Sequence, residues 1–143
     1  MPKIKLYPAK DIYHQTVRKA LEADGWTITH DPYFLRLGKR KGYIDLGAEM
    51  ICAEKESEHI AVEIKSFVGL SEVDEFEDAL GQFLVYKLAL HKKEPERILF
   101  LALPDGFYET FFDDPFFLEV LETYNVKIIT FDEIKNCIVK WIK

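Results

Sequence analysis

Residues 97–104, RILFLALP, form an apolar run that is uninterrupted after its first residue. A strand with one face in water alternates apolar and polar side chains, so this run predicts a central strand buried on both faces. Such a strand needs a layer of helices against each side of its sheet. The chain has 143 residues, of which 48% are hydrophobic, and this is enough for one sizeable core. We therefore expect a single α/β domain over residues 1–143.

The rest of the chain predicts antiparallel strands first and helix-separated strands afterwards. The second helix has the clearest start, because Ser71 is a good N-cap and Asp74 occupies a capping-box-like position. The order α-β-β-β-α-β-α-β-α indicates one mixed β-sheet flanked by helices on both faces. Helices are expected at residues 8–26, 71–93, 115–125 and 132–143, the last capped by Asp132, and strands at residues 26–37 (interrupted near Asp31-Pro32), 43–54, 59–68, 97–104 and 126–131.

Charge is distributed unevenly along the chain. The net charge of −6 argues against a protein that coats nucleic acid without specificity. Residues 1–41, however, contain nine Lys or Arg against four acidic residues, a balance of +5, and the remainder contains ten against twenty-one, a balance of −11. A basic run at residues 36–41 could contact phosphate or could simply be a solvated turn.

The sequence predicts neither a membrane protein nor a secreted one. No apolar run approaches the roughly 20 residues that cross a bilayer, and the first residues, MPKIKLYPAKD, lack the apolar stretch of a signal peptide. Cys52 and Cys137 are too few and too far apart for a disulfide framework or a zinc site, so we expect buried small hydrophobes. The expected location is the cytoplasm, without membrane contacts.

Residues 59–68, HIAVEIKSFV, place two charges inside an apolar strand. Because side chains alternate across a strand, Glu63 and Lys65 project from the same face. Asp45 lies in the preceding predicted strand, so pairing of the two strands would bring its carboxylate to Glu63. On an edge strand the two charges could instead form an ion pair worth about 0–1 kcal/mol. The apolar flanks favour a functional site, because an unpaired charge in an interior strand is expensive.

These residue types suit a divalent cation and phosphodiester chemistry. Asp45 and Glu63, with the Ile64 carbonyl and water, provide the oxygen ligands that Mg²⁺ or Mn²⁺ prefers. Such a cation stabilises charge on a phosphoryl oxygen and lowers the pKa of a bound water. Lys65 can orient that water or help to deprotonate it, and it can stabilise the transition state.

Two helices contribute further candidate residues. Gln82 and Tyr86 are four residues apart and share one face of the predicted second helix, either at the site or as ordinary surface residues. His14, on the first helix, is expected to be a partly buried, hydrogen-bonded histidine. Asp31 is most simply a turn residue before proline.

The predicted hairpin presents a geometric difficulty. Mirroring its two strands about the turn at residues 54–58 places Asp45 opposite residues 67–68 rather than Glu63. We therefore expect a bulge or bend, with Gly47 as the hinge, to bring the two carboxylates together.

The motif of Asp45, Glu63 and Lys65 resembles that of the PD-(D/E)XK nuclease superfamily, although the residue before the aspartate is not the proline of the motif's name. The pattern Gln82-x-x-x-Tyr86 resembles a pair that lines the active site in the RecB-type branch. The resemblance implies a restriction-endonuclease-like α-β-β-β-α-β core with a C-terminal extension and Mg²⁺-dependent endonuclease activity. It also implies that Gln82 and Tyr86 position the phosphate or Lys65.

A closer resemblance covers nearly the whole chain. The segments DGWTITHDP (24–32), DLGAE (45–49) and AVEIKSF (61–67) are similar to the XisH family, small cyanobacterial proteins described as excision controlling factors of the fdxN element. This resemblance implies a part in DNA recombination, namely excision of a DNA element during heterocyst development. It also implies a site-specific recombinase and an XisI-like protein as partners.

Three functions remain open from the sequence. The first is a metal-dependent nuclease that acts on DNA, and the second is a non-catalytic regulator that uses the nuclease fold to bind an XisI-like partner or a recombinase. The third is a toxin–antitoxin-like pair. The aromatic segment GFYETFFDDPFF (106–117) could form a docking surface for the regulator, and we expect more strongly that its phenylalanines cap the core.

Overall fold

The computed structural model describes residues 10–53 and 56–143. Residues 1–9, which include the predicted start of the first helix, and residues 54–55 of the predicted turn lie outside the described residues. The helices are α1 (His14–Ala23), α2 (Glu72–Lys93), α3 (Asp105–Phe111) and α4 (Pro115–Thr123). The strands are β1 (Thr27–His30), β2 (Tyr33–Leu37), β3 (Arg40–Ile44), β4 (Leu46–Met50), β5 (Glu58–Ile64), β6 (Ile98–Pro104), β7 (Ile128–Asp132) and β8 (Cys137–Ile142).

Six strands form one mixed sheet in the order β1-β4-β5-β6-β7-β8. The central strands β5, β6 and β7 are parallel, and the outer pairs are antiparallel. Parallel neighbours require crossover connections, which α2 provides between β5 and β6 and α3 with α4 provides between β6 and β7. Strands β2 and β3 form a separate antiparallel hairpin. The predicted mixed α/β sheet flanked by helices is confirmed, and the PD-(D/E)XK core stays a prediction.

Strand β6 separates two hydrophobic cores, which explains its apolar sequence. Leu99, Leu101 and Leu103 belong to the core that contains α2, α4 and the β2–β3 hairpin, whereas Phe100 and Ala102 belong to the core beneath α1. These five residues are at most 4% exposed. Full burial of a Leu or Phe side chain contributes about 1.5–3 kcal/mol. The strand therefore holds both layers against the sheet.

The helix termini follow local sequence signals. The Ser71 hydroxyl accepts a hydrogen bond from the Asp74 N–H at 3.2 Å, as the capping pattern predicts. At the end of α1 the chain turns through Gly25, whose φ of +97° favours glycine. The Trp26 N–H then donates to the Leu21 carbonyl at 3.0 Å. This closure directs the chain from α1 straight into β1.

Asp45 joins the two sheets. The predicted strand at residues 43–54 is divided, because β3 ends at Ile44 in the hairpin and β4 begins at Leu46 in the main sheet. Ile44 and Leu46 are both fully buried, but they belong to different cores. The connection between the sheets is therefore one residue long, and its position is fixed on both sides by packing.

The terminal helix predicted for residues 132–143 is wrong. Asp132 does accept backbone hydrogen bonds, from Ile134 at 2.9 Å and Lys135 at 2.8 Å, but these close a tight turn instead of starting a helix. Asn136, with φ of +53°, completes the turn, and β8 returns antiparallel to β7. The β-branched and aromatic side chains of CIVKWI suit a strand, and pairing with β7 decides between the two possibilities.

Helix α3 was not predicted, and it explains the aromatic segment. Phe107, Phe111, Phe112 and Phe117 pack against one another and against the core, as the core-capping interpretation predicts. Phe116 is the exception, because 63% of its surface is exposed.

Cys52 and Cys137 are free thiols that are half-buried instead of fully buried. Among the helices of residues 10–53 and 56–143, none has the length and apolar character needed to cross a membrane.

Candidate functional site

Asp45 and Glu63 meet where β4 begins and β5 ends. The register of this pair aligns Leu46 with Val62, so the next step along it aligns residue 45 with residue 63. The Asp45 N–H donates to Glu63 Oε1 at 3.2 Å. In return, the Ile64 N–H donates to Asp45 Oδ2 at 2.7 Å. The structure therefore brings together the two carboxylates that the sequence indicated.

The bend expected at Gly47 is not needed for this meeting, and that expectation is wrong. The β4–β5 pairing has no register shift. The turn between these two strands is therefore centred earlier in the chain than the predicted turn at residues 54–58. Gly47 instead lies at an irregularity of the β1–β4 pair, opposite His30. A Cβ at this glycine would meet the His30 and Tyr33 side chains at 3.0–3.1 Å. Gly47 therefore permits close packing rather than a bend in the hairpin.

Burial and mutual proximity favour a proton shared between the two carboxyl groups. Glu63 is only 6% exposed, and burial, the charge of Asp45 and the hydrogen bond between the two side chains raise its pKa to about 9. Burial also raises the pKa of Asp45, although the Ile64 amide and the hydrogen bond from Glu63 oppose the rise. Both causes favour Glu63 as the partner that holds the proton and donates to the Asp45 carboxylate.

Lys65 lies at the rim of this carboxyl pair. Its Nζ is 3.8 Å from Glu63 Oε2, and its side chain is 32% exposed whereas that of Glu63 is 8% exposed. Glu63 and Lys65 therefore share one face of β5 and its continuation, as strand alternation predicts. The Lys65 N–H donates to the Ala102 carbonyl at 3.0 Å, which extends the parallel ladder past the end of β5. The ammonium group is consequently anchored beside the carboxyl groups while it remains open to solvent.

Gln82 and Tyr86 approach the carboxyl pair from α2. Burial raises the pKa of the Tyr86 hydroxyl, a hydrogen bond with Gln82 opposes the rise, and the charges of Glu63, Tyr43 and Asp45 add to it. The structure therefore pairs Gln82 with Tyr86 and places Tyr86 within electrostatic range of the two carboxyl groups, and the roles of both helix residues stay predictions. Tyr43 was not predicted there, although its place two residues before Asp45 could have indicated it.

A second cluster of polar and charged side chains joins α1 to the connection between β1 and β2. His14 is buried, and its Nε2 lies 2.7 Å from Asp31 Oδ1, which confirms the prediction of a hydrogen-bonded histidine. Arg18 Nη1 donates to Asp31 Oδ2 at 2.6 Å. Burial alone would raise the pKa of Asp31, but Arg18 and His14 outweigh it and lower that pKa. Asp31 is therefore part of an ionic cluster rather than only a turn residue, and His14 also opposes the rise in the pKa of Asp45.

Asp45 and Glu63 are the side chains here that could hold a divalent cation. Within the described ranges 10–53 and 56–143, no group of three or more His, Cys, Asp or Glu side chains is placed to hold a metal ion. The donor set nevertheless fits Mg²⁺ or Mn²⁺, because a cation would replace the shared proton and neutralise both carboxylates. Backbone oxygens and water would have to complete the shell. The Ile64 carbonyl as a ligand stays a prediction.

Comparison with known proteins identifies the family. The profile of the family described as XisH protein matches residues 7–139. The chain belongs to the XisH family. The resemblance to the XisH family is thereby confirmed. The matched range contains all five predicted site residues, Asp45, Glu63, Lys65, Gln82 and Tyr86.

Two crystal structures share this fold. One is an XisH family protein from Nostoc punctiforme PCC 73102, with 41% identity and a TM-score of 0.82 over 93% of this chain and 100% of that chain. The other is an fdxN element excision controlling factor protein from Anabaena variabilis, with 39% identity and a TM-score of 0.84 over 94% of this chain and 100% of that chain. A search of curated proteins found no match.

Proposed function

We propose that this XisH protein controls the site-specific excision of a DNA element, as a metal-dependent protein of nuclease fold that acts on phosphodiester bonds. The description of the relative from Anabaena variabilis supports the biological role. The chemical role is carried by one observation, the buried pair of Asp45 and Glu63, which are joined through the Asp45 and Ile64 amides and lie beside the Lys65 ammonium. A strongly raised pKa in a specific charge cluster is typical of functional sites.

Each residue has a role that follows from its position. Asp45 and Glu63 would hold Mg²⁺ or Mn²⁺ once Glu63 has lost its proton. A bound cation would stabilise charge on a phosphoryl oxygen and lower the pKa of a bound water. Lys65, at the open rim, orients the attacking water and stabilises negative charge in the transition state. Gln82 and Tyr86, on α2, position the phosphate or Lys65.

The first test is cleavage of single-stranded, duplex and branched DNA with Mg²⁺ or Mn²⁺. We expect Lys65→Ala to lower the rate about 10²- to 10⁴-fold, as loss of a proton-transfer or charge-stabilising group does. Lys135→Ala removes an exposed lysine from the β7–β8 turn and is the matched control. A wild type that is inert on every substrate and indistinguishable from Lys65→Ala would end the nuclease proposal.

Cation binding can be measured without cleavage. At a Mn²⁺ concentration of about 100 times Kd, we expect binding to stabilise the wild type by about 2.7 kcal/mol, which a thermal melt would report as a higher Tm. Asp45→Asn, which removes one carboxylate, should abolish the shift. Glu133→Gln, at an exposed position, is the control and should retain it. An equal shift in wild type and Asp45→Asn would place the cation elsewhere.

A second candidate is a non-catalytic regulator that binds an XisI-like protein or the recombinase. It is favoured by the net charge of −6 and by an apolar groove of about 410 Å³ beside the exposed face of α2. Leu84, Leu88 and Ile98 line this groove and are 37%, 60% and 44% exposed. Such a surface is typical of protein interfaces.

The two candidates differ in what excision requires. The regulator predicts that Asp45→Ala and Lys65→Ala retain both excision and co-purification with an XisI-like protein, whereas Leu88→Asp loses both. The nuclease predicts that Asp45→Ala and Lys65→Ala lose excision while partner binding remains intact. An excision assay beside a pull-down with the same variants therefore separates them.

A further inference from the structure

The β2–β3 hairpin is held rigidly by one of its faces. Tyr33, Leu35 and Ile44 point inward, are at most 4% exposed and belong to the core that contains α2. Their outward neighbours alternate with them along the two strands. The outer face is therefore presented on a fixed support.

The outer face carries two matched cross-strand pairs. Phe34 lies opposite Tyr43, and Arg36 lies opposite Lys41. Phe34 is 53% and Tyr43 37% exposed, and Arg36 and Lys41 are exposed as well. The aromatic pair and the basic pair are two residues apart along each strand, a distance of about 7 Å. Solubility alone does not require exposed aromatic rings beside cations, so this arrangement indicates a binding surface.

Positive charge on this face is not neutralised. Residues 32–44 contain no Asp or Glu. In the described part of the chain, none of Arg36, Lys39, Arg40 and Lys41 makes an ion pair. A groove of about 740 Å³ runs between the hairpin and the end of α2, and Lys92 and Lys93 add two cations to its lining. A chain with a net charge of −6 thus concentrates cations in one place.

The outer face of the hairpin is adjacent to the carboxyl pair along the chain. Tyr43 is two residues before Asp45, and it is close enough to Tyr86 to influence the ionisation of that hydroxyl. From the hairpin turn to the site, the order is therefore basic side chains, then aromatic rings, then the carboxyl groups. A ligand that fits this order combines regularly spaced negative charges with flat, unpaired ring systems.

We propose that the outer face of the hairpin (Phe34, Arg36, Lys41 and Tyr43) binds single-stranded DNA and leads it to the carboxyl pair. Aromatic side chains stack on the faces of unpaired bases, and Lys and Arg contact the phosphates. Duplex DNA keeps its base faces stacked internally, so it gains only the charge contacts. Delivery to the carboxyl pair rests on the proposed function, but binding to the hairpin does not require catalysis.

The test is fluorescence anisotropy with labelled oligo(dT) of about 15 nucleotides, a length within the usual site size, in EDTA so that no cleavage occurs. We expect Phe34→Ala and Tyr43→Ala each to weaken binding about 5- to 150-fold, as loss of stacking on one base does. Arg36→Gln and Lys41→Gln should each reduce the slope of log K against log salt by about 0.7. Phe116→Ala and Lys135→Gln, at exposed positions away from the hairpin, are the matched controls.

The outcomes distinguish this inference from the proposed function. Tighter binding of oligo(dT) than of duplex, lost in the hairpin variants and kept in the controls, supports the hairpin site even if the wild type cleaves nothing. Equal affinity of wild type and Phe34→Ala for oligo(dT), with circular dichroism showing both folded, would overturn it. Preference for an acidic peptide over oligo(dT) at equal ionic strength would overturn it as well, even if the wild type cleaves DNA.

Discussion

Ionisable side chains are buried near both ends of strand β5. Only those near its start are paired with an opposite charge at hydrogen-bond distance. Near its start, Arg97 is 7% exposed, and its guanidinium donates to the Ile60 carbonyl at 2.8 Å and to Glu94 at 3.0 Å. The Tyr33 hydroxyl donates to the same Glu94 carboxylate at 2.8 Å. At the other end, Glu63 faces a second carboxyl group, and its cation, Lys65, is 3.8 Å away at the rim.

The pKa values show the difference between the two ends. Burial would raise the pKa of Glu94, but hydrogen bonds from Arg97 and Tyr33 outweigh it and lower that pKa. Burial and a like charge instead raise the pKa of Glu63 to about 9. Removing one partner of a buried ion pair destabilises a fold, whereas two like-charged groups buried together cost stability and are typical of a binding site. The comparison therefore distinguishes an ion-paired end from an end where two carboxyl groups face each other, and it is the second end that carries the proposed function.

The largest expected effect is at the neutralised end. Arg97→Met should lower the free energy of unfolding by about 3–5 kcal/mol, because Glu94 and the Ile60 carbonyl lose their partner inside the protein. Urea denaturation measures this change. Arg36→Met, on the exposed hairpin face, is the matched control and should stay within about 0.5 kcal/mol of the wild type. A cost of less than 1 kcal/mol for Arg97→Met would show that the network is not structural.

The carboxyl end should respond to pH instead. Because the pKa of Glu63 rises from 4.5 to about 9 on folding, the folded state holds an extra proton between these values. The stability of the wild type therefore falls as pH rises through this window, by up to about 1.4 kcal/mol per pH unit. Glu63→Gln resembles the protonated side chain and loses this dependence.

This difference can be measured by urea denaturation in EDTA at several pH values. Relative to the wild type, Glu63→Gln should gain about 3 kcal/mol between pH 5 and pH 8, a figure lowered for residual solvent screening. Glu133→Gln, which is exposed, should follow the wild type throughout. Parallel pH profiles for the wild type and Glu63→Gln would contradict the shared proton.

The smallest expected effect concerns one hydrogen bond of the neutralised end. Tyr33→Phe keeps the buried ring and removes the donor to Glu94, so the free energy of unfolding should fall by about 1 kcal/mol. Tyr124→Phe, at a 49% exposed position, serves as the control. In the wild type, burial and the bond to Glu94 raise the pKa of Tyr33 to about 12, and absorbance titration of the tyrosines should show one late hydroxyl that disappears in Tyr33→Phe.

The parts of the fold that were predictable are those specified by neighbouring residues. The apolar run of β6 indicates burial on both faces, and Ser71 with Asp74 marks the start of α2. Residues 137–142 form a strand because β7 lies beside them, and a local pattern cannot contain that information. The β4–β5 register was missed for a similar reason, since charged residues without Gly or Pro do not mark the centre of a turn.

In the candidate site, too, relations set by local spacing were predictable, and partners distant in sequence were not. Strand alternation is enough to place Glu63 and Lys65 on one face, and helical spacing is enough to associate Gln82 with Tyr86. The partnership of His14 with Asp31 joins residues 17 positions apart, and that of Tyr33 with Glu94 joins residues 61 apart. Such pairs depend on the assembled sheet, so single-sequence reasoning identifies their members without their partners.

The one-residue connection at Asp45 fixes the number of residues between β3 and β4. Adding or removing a residue would reverse the alternation of β4, turn Leu46 and Ala48 out of their core and carry the carboxylate away from Glu63. Insertions in this family are therefore expected in the connection that follows Met50, where neither core depends on the count. The length of the connection at position 45 therefore determines whether the two carboxyl groups can meet.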